Sequence, residues 1–136
     1  MNARARLYLA VGLGGMLGSV ARALVSLGLL ALAGPAFPWG TLAVNVAGSF
    51  LIGLYAATSE PGGRFAAPEA RRQFVLAGFC GGFTTFSIFS LETLLMLERG
   101  AAGLALANLA GSLILWLAAV WAGWHLGQRL NRPVPG

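Results

Sequence analysis

The stretch GFCGGFTTFSIFS, from Gly78 to Ser90, is the part of the sequence around which the rest of this chain is organised. It lies inside an apolar segment that is long enough to cross a membrane, yet it contains two adjacent glycines, Gly81 and Gly82. Glycine costs about 1 kcal/mol relative to alanine in a helix interior, so this pair predicts a break in the helix. Irregular backbone at membrane depth is tolerated only where protein or a water-filled cavity satisfies it. The stretch therefore predicts either a packing joint or an ion site.

The composition around this stretch is that of a membrane protein. Of the 136 residues, 57% are hydrophobic and 10% are charged, whereas about a quarter are charged in ordinary soluble domains. The net charge of +5 comes from arginines, which flank apolar segments and form no dense patch of the kind that binds nucleic acid. One cysteine, one histidine and no aspartate leave few groups for acid–base or metal chemistry. An enzyme is therefore the least expected class.

Four apolar stretches are each long enough to cross a bilayer, which takes a helix of about 20 residues. The sequence predicts an all-α integral membrane protein, with one four-span domain over residues 1–136 and a third helix broken near Gly81–Thr84. Four spans place both chain termini on the same side of the membrane. The spans are expected at Leu7–Ala33, Trp39–Thr58, Phe74–Leu97 and Ala101–Leu126.

Small and polar residues mark one face of the first two spans. In the first span Gly14, Gly18 and Arg22 recur every four residues, which predicts a groove that another helix can approach closely. An arginine inside an apolar span usually faces protein or water, although Arg22 can also snorkel to the interface. In the second span Thr41 and Asn45 lie on one helical stripe. The amide of Asn45 suits either an interhelical hydrogen bond or a binding site.

The third and fourth spans carry further polar groups at helical spacing. Glu92 is an ionisable residue well inside an apolar segment, which makes it a functional candidate by default. In the fourth span Asn108 and Ser112 share a face, and a row of small residues runs from Gly103 to Gly111. Hydroxyls alternate with phenylalanines ahead of Glu92, at Phe83, Thr84, Thr85, Phe86, Ser87, Phe89 and Ser90.

The arginines predict the orientation of the spans. Seven of them would lie on one side of the membrane, while only Arg99 lies in a loop on the other side and Arg22 lies within the first span. Because loops rich in arginine remain in the cytoplasm, both termini are expected there. The seven are Arg4, Arg6, Arg64, Arg71, Arg72, Arg129 and Arg132.

Across nearly its whole length the sequence resembles the CrcB/Fluc family of bacterial fluoride channels. The resemblance rests on GGMLGSVAR at Gly14–Arg22, WGTLAVNVAGSFLIG at Trp39–Gly53 and GFCGGFTTFSIFSLET at Gly78–Thr93. It implies an antiparallel, dual-topology dimer of four-span subunits with two fluoride pathways and a structural sodium ion at the two-fold centre. It also implies passive export of cytoplasmic fluoride across the bacterial inner membrane, which lowers fluoride toxicity.

The same resemblance implies roles for individual residues. The backbone carbonyls of Gly81 and Thr84 are implied as ligands of the sodium ion. Phe86 and Phe89 match the pair of rings that lines each fluoride pathway, and Asn45 matches its asparagine. The other polar positions implied along the pathway are Thr41, Thr85, Ser87, Ser90, Glu92, Asn108 and Ser112.

The chain departs from the family pattern in places. Ile88 stands where the usual repeat TTFSTFS has a second threonine, which removes one hydroxyl. Asn108 stands where tyrosine is frequent, so a shorter donor occupies that position. Arg22, by contrast, agrees with the family, because the resemblance implies an arginine of the first span near the aqueous vestibule. The one-sided arginines are unusual for a dual-topology protein; a homodimer is favoured, and a pair with an oppositely oriented second subunit stays open.

Two other functions stay open from the residues. A small four-helix drug or cation exporter would have a similar size, but it needs a carboxylate in the first span for proton coupling, where this chain has Arg22. A structural membrane subunit without transport would use the glycines only for packing. That second alternative leaves Glu92 and the alternating hydroxyls and phenylalanines without a role.

Overall fold

The computed structural model describes residues 2–131, and all of the regular structure in that range is helical. As the sequence predicts, four helices are long and apolar enough to cross a membrane. The first and third begin about one turn earlier than their apolar cores, because the flanking arginines and Glu69 continue the helix outside the hydrocarbon. Arg132, one of the seven arginines used for orientation, lies outside the described range. The four helices are Ala3–Ala33, Trp39–Thr58, Glu69–Glu98 and Ala102–Leu130.

Helix α1 (Ala3–Ala33) has a defined beginning and end. The Asn2 side chain accepts a hydrogen bond from the Ala5 N–H at 2.8 Å, which satisfies one of the free donors of the first turn. The helix ends at Gly34, whose φ of 75° lies in the left-handed region that favours glycine. The Gly34 N–H donates to the Leu30 carbonyl at 2.9 Å and closes the last turn.

The glycine groove of α1 packs against the first half of the third membrane helix, which confirms the packing expected from the sequence. A β-carbon at Gly14 would overlap the carbonyl oxygen of Phe74, and one at Gly18 would overlap that of Phe79. On the opposing helix a β-carbon at Gly82 would overlap the Gly15 carbonyl. The two backbones are in direct contact, and this contact is possible only without side chains.

Helices α2 (Trp39–Thr58) and α6 (Ala102–Leu130) form the other close pair. A β-carbon at Gly53 would overlap the Val120 carbonyl, and one at Gly123 would overlap the Phe50 carbonyl. The small-residue row between Gly103 and Gly111 is not part of this contact, since β-carbons at its two glycines would meet no described atom within 4 Å. The close contact lies nearer the end of α6, where β-carbons at Gly123 and Gly127 would overlap atoms of α2.

The third membrane helix is built from several pieces. It begins as α3 (Glu69–Gln73), continues as a π-helical segment over Phe74–Cys80 and ends its first half as α4 (Gly81–Phe83). The second half is α5 (Ser87–Glu98). The sequence predicted a break near Gly81–Thr84, and the backbone does become extended at Thr84, at the far end of that range, while the glycine pair itself is helical. Gly82 instead serves the contact with α1.

Asn131 ties the end of α6 to the loop between α2 and α3. Its side-chain Nδ2 donates to the Ala57 carbonyl at 3.0 Å, and its Oδ1 accepts from the Phe65 N–H at 3.1 Å. One amide therefore joins three segments at the arginine-rich end of the subunit.

Candidate functional site

Asn45 on α2 holds the break in the third helix. At Thr84 the backbone has φ −88° and ψ 161°, which stops the helical hydrogen-bond ladder. The Asn45 Nδ2 donates to the Thr85 carbonyl at 2.8 Å, and its Oδ1 accepts from the Thr85 N–H at 2.7 Å. Asn45 is buried. Its amide satisfies both the N–H and the carbonyl of Thr85, which have no helical partners at the break. The side chain therefore acts as a clamp on the break.

The carbonyls of Gly81 and Thr84 are two of the four consecutive backbone carbonyls that lack their helical donors at this break. In a continuous helix the N–H of Thr85 would donate to the Gly81 carbonyl, and that of Ile88 to the Thr84 carbonyl. Here the Thr85 N–H donates to Asn45, and the Ile88 N–H donates to the Thr85 hydroxyl at 3.3 Å. For Gly81 and Thr84, the N–H group four residues later donates to a side chain instead of to the carbonyl. Backbone carbonyl oxygens of this kind suit an alkali cation.

A cavity of about 340 Å³ lies beside the break. Its lining includes Asn45 of α2, Thr85 and Phe86 of the third helix, and Trp116 of α6. Gly48 makes room for the extended turn, since a β-carbon there would overlap the Thr84 methyl group. The cavity thus combines amide, hydroxyl and aromatic groups.

A second polar contact joins α2 to α5 one helical turn before Asn45. The Thr41 hydroxyl donates to Glu92 Oε1 at 2.9 Å. The other carboxylate oxygen, Oε2, is buried without a hydrogen-bond partner in residues 2–131. Glu92 lines two small cavities of about 160 and 240 Å³ near the turn between α1 and α2. The structure therefore brings Thr41 and Glu92 together, as members of one polar row with Asn45.

Helix α6 adds a hydrogen-bonded chain against α5. Asn108 Nδ2 donates to the Thr93 hydroxyl at 2.8 Å, which in turn donates to the Phe89 carbonyl at 2.8 Å. The Ser112 hydroxyl lies 3.4 Å from Asn108 Oδ1 and donates to it. Asn108 is only 1% exposed, so its short side chain is used within the subunit. Thr93 was not among the predicted site residues, although its spacing of four from Phe89 places it on the same helical face.

The two predicted pathway phenylalanines differ sharply in exposure. Phe89 is 2% exposed, whereas Phe86 is 69% exposed on the surface of the subunit, with their ring centroids 5.7 Å apart. Phe89 also makes an edge contact with Trp116, whose ring centroid lies 4.8 Å away. Trp116 is a site residue that the sequence did not indicate, because a tryptophan in an apolar span carries no distinguishing pattern.

The remaining predicted residues lie at the margin of this set. The hydroxyls of Ser87 and Thr85 are 3.4 Å apart, and the Ser90 hydroxyl donates to the Phe86 carbonyl at 2.9 Å. Ser87 and Ser90 are both exposed, on the side of the third helix that no described helix covers. Arg22 is half-buried on α1 and forms none of the hydrogen bonds that join the polar groups of residues 2–131.

Four apolar helices, the third of them broken at a segment with polar side chains, define a small multi-pass membrane protein. The chain belongs to the CrcB family: residues 9–124 match the family described as CrcB-like protein, Camphor Resistance (CrcB).

Relatives with assigned names cover almost the whole chain. A protein of Rhodopseudomonas palustris named fluoride-specific ion channel FluC 1 is 53% identical over 95% of this chain and 92% of its own length. The fluoride-specific ion channel FluC of Opitutus terrae is 54% identical over 92% of this chain and 95% of its own length. A protein of Bradyrhizobium diazoefficiens, also named FluC 1, is 47% identical over 94% and 89%. The family resemblance expected from the sequence is thereby confirmed.

Proposed function

We propose that this chain forms a fluoride-selective channel that releases cytoplasmic fluoride passively down its electrochemical gradient. The structural observation that carries the proposal is the break in the third helix, where the Asn45 amide, the Thr85 hydroxyl and the ring of Phe86 meet at one cavity. The names of the relatives describe an ion channel and no enzyme, which agrees with the few catalytic groups in the sequence.

The groups along this path suit fluoride chemically. Fluoride is small and strongly hydrated, so a selective path must replace its water with many hydrogen-bond donors. Hydroxyl and amide groups donate, and the edge of a phenylalanine ring carries partial positive charge. A series of individually weak donors also allows the ion to leave each position, which conduction requires.

The exposed side of the break supports a dimer. Phe86, Ser87, Ser90 and the backbone at Gly81 are all exposed in the single subunit. In a membrane this would place irregular backbone and hydroxyls against lipid, which the hydrocarbon does not tolerate. A second subunit over this face removes the problem and encloses Phe86. We therefore include in the proposal an antiparallel homodimer in the bacterial inner membrane.

A sodium ion between two such subunits is part of the proposal. The carbonyls of Gly81 and Thr84, freed of their helical donors, would supply two oxygen ligands from each subunit. The ion would fix the two breaks against each other and take no part in conduction.

Sodium dependence of stability tests this site better than mutation, because the ligands are backbone atoms. Protein purified without sodium should unfold at a temperature that rises as sodium replaces N-methylglucamine at constant ionic strength, since a ligand that binds only the folded state stabilises it. The measurement is thermal unfolding of the detergent-solubilised dimer. A midpoint independent of sodium would remove the ion from the proposal.

Fluoride efflux from liposomes tests the function itself. Purified protein reconstituted with internal fluoride should release it rapidly when a potential is applied, as followed with a fluoride electrode, while liposomes loaded with chloride should retain it. Equal release of both anions, or of neither, contradicts a fluoride-selective channel. Proton-dependent uptake of a cationic dye into the same liposomes would instead favour a small drug or cation exporter.

A further inference from the structure

Four arginines come together on two touching helices at one end of the subunit. Arg4 and Arg6 lie in the first turn of α1, whereas Arg71 and Arg72 lie in α3, far later in the chain. Helix α1 contacts α3 directly, so the two pairs belong to neighbouring helices. Arg4, Arg6 and Arg71 are exposed, and Arg72 is half-buried. An anion at the membrane surface can therefore reach them.

The packing of the two helices places both pairs at a similar level. A β-carbon at Gly78 would lie 2.8 Å from the Val11 carbonyl, so these two residues mark one point of the contact. Both helices run in the same direction, since each crosses the membrane from the arginine-rich end. About two turns back from this point, or about 10 Å along α1, the chain reaches Arg4 on one helix and Arg71 on the other.

The carboxylates of the chain do little to balance this charge. Of its four glutamates, none lies on α1 and only Glu69 lies on α3. The Glu69 Oε1 accepts a hydrogen bond from the Gln73 Nε2 at 2.6 Å, so it is engaged within its own helix. Glu60 lies at the same end, in the exposed loop between α2 and α3. Because like charges repel, an anion from outside the subunit would stabilise this arrangement.

The depth of the cluster indicates what kind of anion this is. The apolar stretches of the two spans begin at Leu7 and Phe74, so the arginines precede them at the level of lipid headgroups. Tyr8, four residues after Arg4, is 76% exposed, as is usual for aromatic residues at a membrane interface. Orientation of the spans requires arginines near their ends but does not require that they gather on two touching helices.

We propose that the adjoining ends of α1 and α3 form a binding site for the headgroup of an anionic phospholipid, with Arg4 and Arg71 as its main phosphate ligands. Guanidinium groups bind phosphate through paired hydrogen bonds, and basic clusters beside or between membrane helices attract anionic lipids. The site lies within one subunit, and it does not depend on the proposed channel function.

Titration of the detergent-solubilised protein with phosphatidylglycerol, followed by native mass spectrometry, tests the site. The parent should bind this lipid in preference to phosphatidylcholine. The double variant Arg4→Gln/Arg71→Gln should bind it about 30-fold more weakly, because each arginine near an anionic lipid contributes about 1 kcal/mol. The matched control is Arg64→Gln/Arg129→Gln, which removes the same charge from exposed positions at the same end and should bind like the parent. Equal weakening in both double variants, or no lipid preference in the parent, overturns the inference.

A second measurement uses only the parent protein, so it applies even if the double variant fails to fold. Phosphatidylglycerol should raise the temperature of thermal unfolding above the value in phosphatidylcholine, since a ligand of the folded state stabilises it. The rise should become smaller at high salt, which screens exposed charges. Inorganic phosphate at matched ionic strength should not reproduce it. The same rise with inorganic phosphate would mean a site for a free anion and would overturn the lipid assignment, as would equal unfolding temperatures in the two lipids.

Discussion

Asn45 shows how one side chain can determine backbone geometry at membrane depth. The sequence marks it as a polar residue on a small-residue stripe, and its pattern suits either a helix contact or a binding site. In the structure both ends of its amide are engaged by Thr85, at 2.7 and 2.8 Å. One Nδ2 hydrogen remains for a ligand. Asn45 is therefore first of all a support for the break, and the contact with fluoride that we propose would come in addition.

Replacing Asn45 with leucine should destabilise the protein and abolish efflux together. Leucine has a similar volume but leaves the N–H and the carbonyl of Thr85 unpaired, at about 1–3 kcal/mol for each group. Thermal unfolding in detergent and fluoride efflux are the two measurements. Ser49→Ala is the control, because Ser49 lines the same cavity and contributes no hydrogen bond to the break. Normal stability in Asn45→Leu would contradict the clamp.

The closest helix contacts in this protein are made at glycines, whose lack of a side chain lets two backbones touch. Gly14 and Gly18 on α1 contact the backbone of the third helix. Gly53 on α2 and Gly123 on α6 contact each other's helix in the same way. Lipid tails are as apolar as leucine, so close backbone contact and van der Waals packing take the place of hydrophobic burial. Gly82 next to the break also allows the close approach of α1, whereas a β-carbon at Gly81 would meet no described atom within 4 Å.

A pair of alanine substitutions on α1 separates packing from helix propensity. Gly18→Ala should lower stability by about 1–3 kcal/mol, because its new methyl group would overlap the Phe79 carbonyl. Gly28→Ala should be neutral or slightly stabilising, because a β-carbon there meets no described atom within 4 Å and alanine is the better helix former. Both are compared by thermal unfolding. Equal effects at the two positions would mean that the α1 groove is not a packing contact in the membrane.

At the scale of the whole molecule, the surface of the subunit beside the break is uncovered. The rings of Phe86 and Phe89 lie next to each other, yet one is 69% exposed and the other 2%. The arginines add a second asymmetry, because Arg64, Arg71 and Arg129 lie at one end and Arg99 at the other. The exposure of Phe86 favours a partner subunit that covers the break. The uneven distribution of the arginines bears on how that partner is oriented in the membrane.

Cysteine labelling in intact cells distinguishes the two kinds of partner. In a Cys80→Ala background, Ala66→Cys and Ala102→Cys place a thiol at exposed positions at opposite ends of the subunit, without changing the arginine count. An antiparallel homodimer predicts that about half of the copies react with an impermeant maleimide at either position. Reaction at Ala102→Cys alone would overturn the homodimer and require a second, oppositely oriented subunit.

The sequence by itself determined the helical class, the four membrane spans, the family and the glycine groove of α1, because each of these is expressed by residue type and helical spacing along a single segment. It also placed Asn45, Thr85 and Phe86 among the site residues through the family resemblance. The position of the break was predicted only approximately, since local propensity pointed to the glycines.

Only the tertiary structure decided how groups from different helices pair. The hydrogen bond between Thr41 and Glu92 joins residues 51 positions apart, and the chain from Asn108 through Thr93 to Phe89 joins two helices. The meeting of the arginines of α1 and α3 is visible only once the contact between these helices is known. Such features depend on the rotation of each helix about its axis and on which backbones approach most closely. Both are fixed by side-chain packing across the whole bundle, and the periodicity of one segment does not contain them.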